Sequence, residues 1–168
     1  QSGQSDQFIH RYEYDSDNRI TKVFTSKDGV IWDNDAQYQY YAHGPLARTI
    51  TGEQQVETQN YAYTLQGWIK GVSGQHFSYA LGYNSSDYTA IGSTPTGVLP
   101  TTTATNLYNG NISTWASKNS TGALGTPDAT WTQQFTYDQL NRITSGTTLG
   151  GANAFKNTYT YDANGNIN

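Results

Sequence analysis

Two ten-residue segments of this chain are nearly the same, YEYDSDNRIT at 12–21 and FTYDQLNRIT at 135–144. Repetition restricts a chain to folds built from one recurring unit. The shared pattern is an aromatic residue, any residue, Tyr, three residues, Gly or Asn, any residue, and Ile or Leu. Five segments fit it: Tyr12/Tyr14/Asn18/Ile20, Tyr38/Tyr40/Gly44/Leu46, Tyr61/Tyr63/Gly67/Ile69, Phe135/Tyr137/Asn141/Ile143 and Tyr159/Tyr161/Gly165/Ile167.

Each position of the pattern indicates part of a β-hairpin. The two aromatic residues lie two positions apart, so on a strand they share one face. Only Gly or Asn occurs four residues after the central Tyr, and these two residues best tolerate a positive φ. An Asp follows the central Tyr directly in three copies, where its carboxylate can accept hydrogen bonds from turn amides: Asp15, Asp138 and Asp162. The Ile or Leu then begins a returning strand.

A single hairpin is marginally stable in water, so the repeat predicts an array in which hairpins stack side by side. The fold class expected is therefore all-β, with antiparallel hairpins whose tyrosines supply the packed face. In three copies the aromatic stripe continues upstream, at Phe8, Trp131 and Phe155.

The pattern weakens in the middle of the chain. The clear repeats cover 8–73 and 131–168, and 74–130 is predicted to hold degenerate copies or a loop-bearing insertion within a single domain, 1–168. FSYALGYN keeps the pair Phe77 and Tyr79 but has its glycine one place early, at Gly82. LYNGNIST, 107–114, keeps a hairpin-like signal. Two stretches rich in Thr, Ser and Gly, 92–106 and 117–130, are predicted to be exposed loops.

The repeat resembles the YD repeat of RHS (rearrangement hotspot) proteins. YDSDNRIT, YDQLNRIT and YDANGNI are similar to the Tyr-Asp-x-x-Gly-Arg-Leu/Ile pattern of that family, and YAYTLQGWIKGVSG followed by YNGNIS is similar to the variety found in large Bacteroidetes members. The resemblance implies that the hairpins form a curved or spiralling sheet. In bacterial toxin members and toxin-complex C-components, such a sheet closes into a shell around a toxic domain, and in teneurins it serves adhesion.

The chain also departs from the family pattern. Copies two and three have Tyr41 and Thr64 in place of the Asp, and only Asn18 and Asn141 are followed by Arg. The self-cleavage motif of the family, with its catalytic aspartates, has no match. The chain stops just after the fifth turn, which raises the expectation of a fragment or of a subunit completed by a neighbour.

Composition argues against several functions. Thirteen acidic and nine basic residues give a net charge of −4, with no basic run for nucleic acid. No apolar stretch approaches the ~20 residues of a membrane span. Cysteine is absent, which removes disulfides and zinc–thiolate sites, and the three histidines lie far apart, so neither a metal nor a cofactor is expected.

The repeated aspartates and the tryptophans are the residues to weigh for chemistry. Paired carboxylates would suit glycoside hydrolysis, but Asp15, Asp138 and Asp162 occupy the same turn position, so no catalytic residue is expected. Trp68 and Trp131 lie within the repeat, which favours packing. Trp32 and Trp115 lie outside it and are the candidates for surface binding, for instance of a carbohydrate.

The first hypothesis is a non-catalytic scaffold, a segment of a YD-repeat shell in a secreted or cell-surface bacterial protein. Its partner would be the remainder of the parent chain. A variant joins identical copies through their strand edges into a fibre-like stack. The alternative is an adhesion module that binds a glycan or host surface through 92–106, 117–130 and Trp115.

Overall fold

A computed structural model describes residues 8–88, 105–119, 129–149 and 155–168. These residues form eleven β-strands and no helix, so the all-β prediction is confirmed. In this part of the chain, no helix has the length and hydropathy of a membrane span. The strands are β1 Ile9–Tyr14, β2 Ile20–Ser26, β3 Asp33–Tyr40, β4 Leu46–Thr51, β5 Glu57–Tyr63, β6 Ile69–Ser73, β7 Phe77–Gly82, β8 Thr114–Asn119, β9 Ala129–Tyr137, β10 Ile143–Leu149 and β11 Lys156–Thr158.

The eleven strands lie in one sheet in the order of the sequence, β1 through β11. The neighbouring strands are antiparallel, so the prediction of an array of antiparallel hairpins is confirmed. The chain divides into two compact units, Gln1–Tyr61 and Ala62–Asn168. Curvature of the sheet and the single domain stay predictions.

The predicted turn residues all adopt the left-handed conformation. Their positive φ values let the chain reverse within four residues of the central tyrosine, and the Ile or Leu that follows begins the return strand or, in the fifth copy, forms an isolated bridge. The angles are 61° at Asn18, 115° at Gly44, 84° at Gly67, 62° at Asn141 and 88° at Gly165.

The core of this sheet is small, with few apolar side chains fully buried. They are Ile50, Val72, Ala80, Tyr83 and Ala116. The expectation that the tyrosines supply the packed face is wrong for the first copy, where Tyr12 is 46% and Tyr14 is 54% exposed. Both lie on β1, which among the described residues pairs with β2 alone, so no strand covers its other side.

The middle of the chain contains a hairpin whose turn is interrupted. Gly82 is part of β7 and not of a turn. The interpretation of FSYALGYN as a repeat with the aromatic pair Phe77 and Tyr79 and its turn glycine at Gly82 is therefore wrong. The residue in the central tyrosine position is Tyr83. Its carbonyl oxygen accepts a hydrogen bond from Leu107 N at 2.7 Å, and the chain re-enters the sheet at β8.

The predicted loops therefore need new bounds. Residues 117–119 belong to β8 and 129–130 to β9, because they continue the antiparallel pairing between these strands. Residues 105 and 106 are exposed and belong to no strand, and the rest of the two stretches, 92–104 and 120–128, lies outside the described residues.

Candidate functional site at the repeated turns

The aspartate that follows the central tyrosine closes the turn, as the sequence predicts. In each of three copies one oxygen, Oδ1, accepts hydrogen bonds from two backbone N–H groups. The donors are Asp17 and Arg19 to Asp15, Leu140 and Arg142 to Asp138, and Asn164 and Asn166 to Asp162, every one at 2.9 Å. These carboxylates therefore accept hydrogen bonds from the amides of their own turns.

These hydrogen bonds give the turns a dependence on pH. Bonds from backbone N–H groups hold the pKa of Asp15 and Asp138 below the ordinary value of 3.8, and bonds from the Asn166 side chain and backbone do the same for Asp162. The pKa of each carboxyl is lower in the folded state than in the unfolded chain. The stabilisation that these bonds give is therefore complete above pH 3.8 and is lost as the pH falls through the pKa of the folded state. We expect NMR titration of the three carboxyls to give values below 3.8; values at or above 3.8 would contradict the turn geometry.

An arginine connects one hairpin to the next in two copies. Arg19 Nε donates to Asp15 Oδ2 at 2.8 Å, and its guanidinium lies 4.6 Å from the centre of the Tyr40 ring. Arg142 repeats this arrangement with Asp138, at 2.7 Å, and with Tyr161, at 4.4 Å. The Asp and Arg of the repeat thus act together, which explains why Arg follows the turn residue in copies one and four.

Copies two and three close the turn by weaker means. Thr64 Oγ1 accepts a hydrogen bond from Trp68 N at 3.1 Å, which replaces the carboxylate. At the turn of copy two the Tyr41 N–H donates to Pro45 O at 2.9 Å and the Tyr41 ring stacks on His43. The Tyr41 hydroxyl donates to Tyr61 O at 2.6 Å. The turn therefore tolerates several side chains after the central tyrosine.

The central tyrosine carries the contact between successive hairpins. At four positions its hydroxyl donates to the carbonyl oxygen of an Ile of the preceding turn. This Ile begins the return strand at Ile20, Ile69 and Ile143, and at Ile112 it lies two residues before β8. The bonds are Tyr40 to Ile20, Tyr83 to Ile69 and Tyr137 to Ile112 at 2.8 Å, and Tyr161 to Ile143 at 2.7 Å. This accounts for the Tyr at these four central positions, whereas the aromatic residue two places earlier is Phe135 in one copy. We call these bonds the Tyr–Ile ladder.

Removing one hydroxyl from the Tyr–Ile ladder tests its contribution. We expect Tyr137→Phe to lower the free energy of unfolding by about 0.5–1.5 kcal/mol, because it leaves the Ile112 carbonyl without this donor. Burial raises the pKa of the Tyr137 hydroxyl, consistent with a partly desolvated group. Urea unfolding measures the change, and Tyr14→Phe, at a 54% exposed side chain, is the control. Equal effects of the two substitutions would contradict the ladder.

Tyr83 is the site residue that the sequence interpretation missed. The quartet Asn-Gly-Asn-Ile occurs at 109–112 and again at 164–167, where it completes the turn that begins at Tyr161. Twenty-nine positions separate Tyr83 from Ile112 and six separate Tyr161 from Ile167, so the interrupted turn has twenty-three additional residues. The repeated quartet was the available signal, and the long insertion concealed it.

A buried ion pair lies at the start of this insertion. Lys70 Nζ is 2.9 Å from Asp87 Oδ1, and the two side chains are 9% and 7% exposed. Asp87 Oδ2 also accepts a hydrogen bond from Tyr83 N at 2.8 Å. Asp87 therefore joins the inserted segment to β6 and to the central tyrosine.

The same turn packs against a tryptophan. The Trp68 ring lies 5.1 Å from the Tyr83 ring, which supports the prediction that Trp68 packs within the sheet. A Cβ at Gly110, whose φ is 88°, would lie 3.2 Å from the Trp68 ring, so both the conformation and the close approach favour glycine there.

Of the other three tryptophans, one differs from the prediction made from the sequence. Trp131, expected to pack, is 44% exposed. Trp115, on β8, is half-buried. Trp32 is half-buried as well, and the Arg11 guanidinium lies between its ring, at 4.7 Å, and the Phe24 ring, at 4.3 Å. Surface binding at Trp32 and Trp115 stays a prediction.

No metal-binding cluster is found in the described part of the chain. No group of three or more His, Asp or Glu side chains there is placed to hold a metal ion. His10 stacks on Tyr12 and His43 on Tyr41, in separate places.

Comparison with known proteins gives little further information. No protein-family profile matches the chain, and no curated protein matches its sequence. Among solved structures, the chain is similar to one in "Crystal Structure of TcdB2-TccC3-Cdc42", with a TM-score of 0.49 and 14% identity. The match covers 93% of this chain and 9% of that one, so this chain spans less than a tenth of its neighbour.

Proposed function

We propose that this chain is a non-catalytic scaffold, a segment of an RHS/YD-repeat wall in a secreted or cell-surface bacterial protein. The wall would enclose or display another part of the parent polypeptide. The observation that carries this proposal is the Tyr–Ile ladder. In it, four contacts between neighbouring hairpins use the same hydrogen bond, from a tyrosine hydroxyl to an isoleucine carbonyl oxygen. A unit that bonds to the unit before it in the same way extends a sheet without a fixed number of copies.

The chemistry of the turns supports the same proposal. The side chains that recur with the repeat, Asp, Arg and Tyr, are used to close turns and to join hairpins. Catalytic sites, in contrast, need groups that converge on a substrate. The repeated aspartates lie in separate turns and bond to their own turn amides.

Limited proteolysis of the full gene product tests the enclosing role. We expect a segment outside 1–168 to resist the protease in the wild type and to become sensitive in Gly67→Val, which places a β-branched side chain at a φ of 84° and opens the wall. Gln66→Val, at the exposed neighbouring position, is the matched control and should keep the protection. Absence of such a protected segment, or equal protection in both variants, would overturn the proposal.

A further inference from the structure

We propose that one face of β7, β8 and β9 binds a neutral glycan chain on an aromatic platform formed by Tyr79, Trp115 and Trp131. This inference does not depend on the scaffold role. All of its residues belong to the unit Ala62–Asn168.

The register of the sheet brings the three side chains together. Tyr79 pairs with Ser117 across β7 and β8, and Ser117 pairs with Trp131 across β8 and β9. Residues paired in this way have their side chains on one face, with Cβ atoms about 4.5–5.5 Å apart. Trp115 precedes Ser117 by two residues on the same strand, so it shares that face. Three aromatic side chains therefore surround one serine.

The burial of these residues indicates a continuous aromatic surface that solvent can reach. Ser117 is only 7% exposed, so its larger neighbours cover it. Trp131 is 44% exposed, and Phe77, whose ring lies 6.1 Å from the Tyr79 ring, is 42% exposed. Single exposed aromatic residues are ordinary, but a contiguous group of them marks a binding surface.

The polar groups beside the platform are neutral. Gln133 pairs with Trp115, and Asn119 pairs with Phe77, so both amides lie on the same face. Lys118 lies between Ser117 and Asn119 and therefore faces the other side of the sheet. On the adjacent strand β6, Lys70 is buried against Asp87.

This combination selects the chemical class of ligand. A phosphate-bearing or otherwise charged partner finds no opposite charge on the platform, which argues against nucleic acids and acidic polymers. A neutral sugar presents apolar C–H faces to aromatic rings and hydroxyls to amide groups, and binding surfaces with a few polar groups among aromatic side chains suit such a ligand. The Gln133 and Asn119 amides are placed to orient it.

Affinity electrophoresis of the full chain tests the proposal, in native gels that contain dextran, xyloglucan or laminarin. We expect at least one of these neutral polysaccharides to retard the wild type, and Trp131→Ala to weaken that retardation by roughly tenfold or more, the effect of losing a central aromatic anchor. Trp131→Phe keeps a ring and should retain part of the binding. Tyr14→Ala, at a 54% exposed aromatic side chain in the other compact unit, should bind as the wild type does.

Three outcomes would overturn the proposal. One is that none of the three polysaccharides retards the chain. Another is that Trp131→Ala and Tyr14→Ala, both shown by circular dichroism to be folded, change the retardation equally. The third is that Trp131→Ala abolishes a concentration-dependent self-association in sedimentation while no polysaccharide binds, because the face would then be an interface between copies.

Discussion

Replacing Asp87 with alanine is expected to lower the free energy of unfolding by about 3–5 kcal/mol, the largest effect of any single substitution that we predict. The two side chains are 9% and 7% exposed, so removing the carboxylate leaves the Lys70 ammonium in a site that is poorly hydrated. The Tyr83 N–H also loses its acceptor at 2.8 Å. Removing one partner of a buried ion pair costs more than the intact pair contributes.

The double variant Asp87→Ala/Lys70→Thr separates the charge from the packing. Threonine occupies the position after the Ile of the return strand in two other copies, Thr21 and Thr144, so it suits this strand. We expect it to restore most of the stability lost in Asp87→Ala. Urea unfolding followed by tryptophan fluorescence measures both variants. If Asp87→Ala costs less than about 1 kcal/mol, the pair is as weak as one on the surface, and our interpretation of it fails.

Deleting residues 85–107 is expected to leave a folded sheet when Lys70→Thr and Asn84→Asp accompany the deletion. The shortened segment reads Tyr83-Asp-Tyr108-Asn109-Gly110-Asn111-Ile112, which has the same length between Tyr and Ile as the fifth copy. The substitution at Asn84 supplies the aspartate that closes the other turns. Lys70→Thr removes the lysine whose partner, Asp87, is lost in the deletion. Shortening a loop changes its closure entropy only slightly, so we expect the free energy of unfolding to change by about 1 kcal/mol or less.

A deletion one residue longer provides the matched control. Removing 85–108 places Ile112 five positions after Tyr83 instead of six. Gly110 then lies three residues after the tyrosine instead of four. A shift of one residue moves every side chain of a strand to the opposite face of the sheet. We therefore expect the free energy of unfolding to fall by several kcal/mol, or the chain not to fold. Circular dichroism and thermal unfolding distinguish the two. Equal stability of the two deletions would show that the segment is not an interrupted copy of the repeat.

An insertion at this position has a structural reason. The turns lie outside the pairing of the strands, so additional residues there leave the sheet hydrogen bonds unchanged. Tyr83 keeps its ladder bond to Ile69, and β8 continues the sheet after Ile112. The repeat can thus carry an additional segment without losing its contact to the preceding hairpin.

The sequence predicted the elements that depend on local interactions. The positive φ at Asn18 and Gly44, the aspartate bonds in the turns and the antiparallel pairing all follow from residues within a few positions of one another. These interactions form over short distances along the chain, so the pattern of residue types is enough to identify them.

What the sequence did not show depends on residues far apart. The ladder joins hydroxyls to carbonyl groups 14–25 residues away, and it depends on strands that lie side by side only in the folded sheet. Tyr83 was missed because its turn is closed by residues 107–112, beyond a long insertion. The exposure of Trp131 depends on which face each strand presents and on which neighbours cover that face.

By itself, then, the sequence determined the unit: a hairpin with Tyr at its centre, Gly or Asn in its turn and Asp to close it, because each of these roles is a property of a short segment. Only the tertiary structure decided how the units join, which tyrosines are buried, and where an insertion and an aromatic platform lie. Register and burial arise from pairing between strands, and that pairing is a property of the whole sheet.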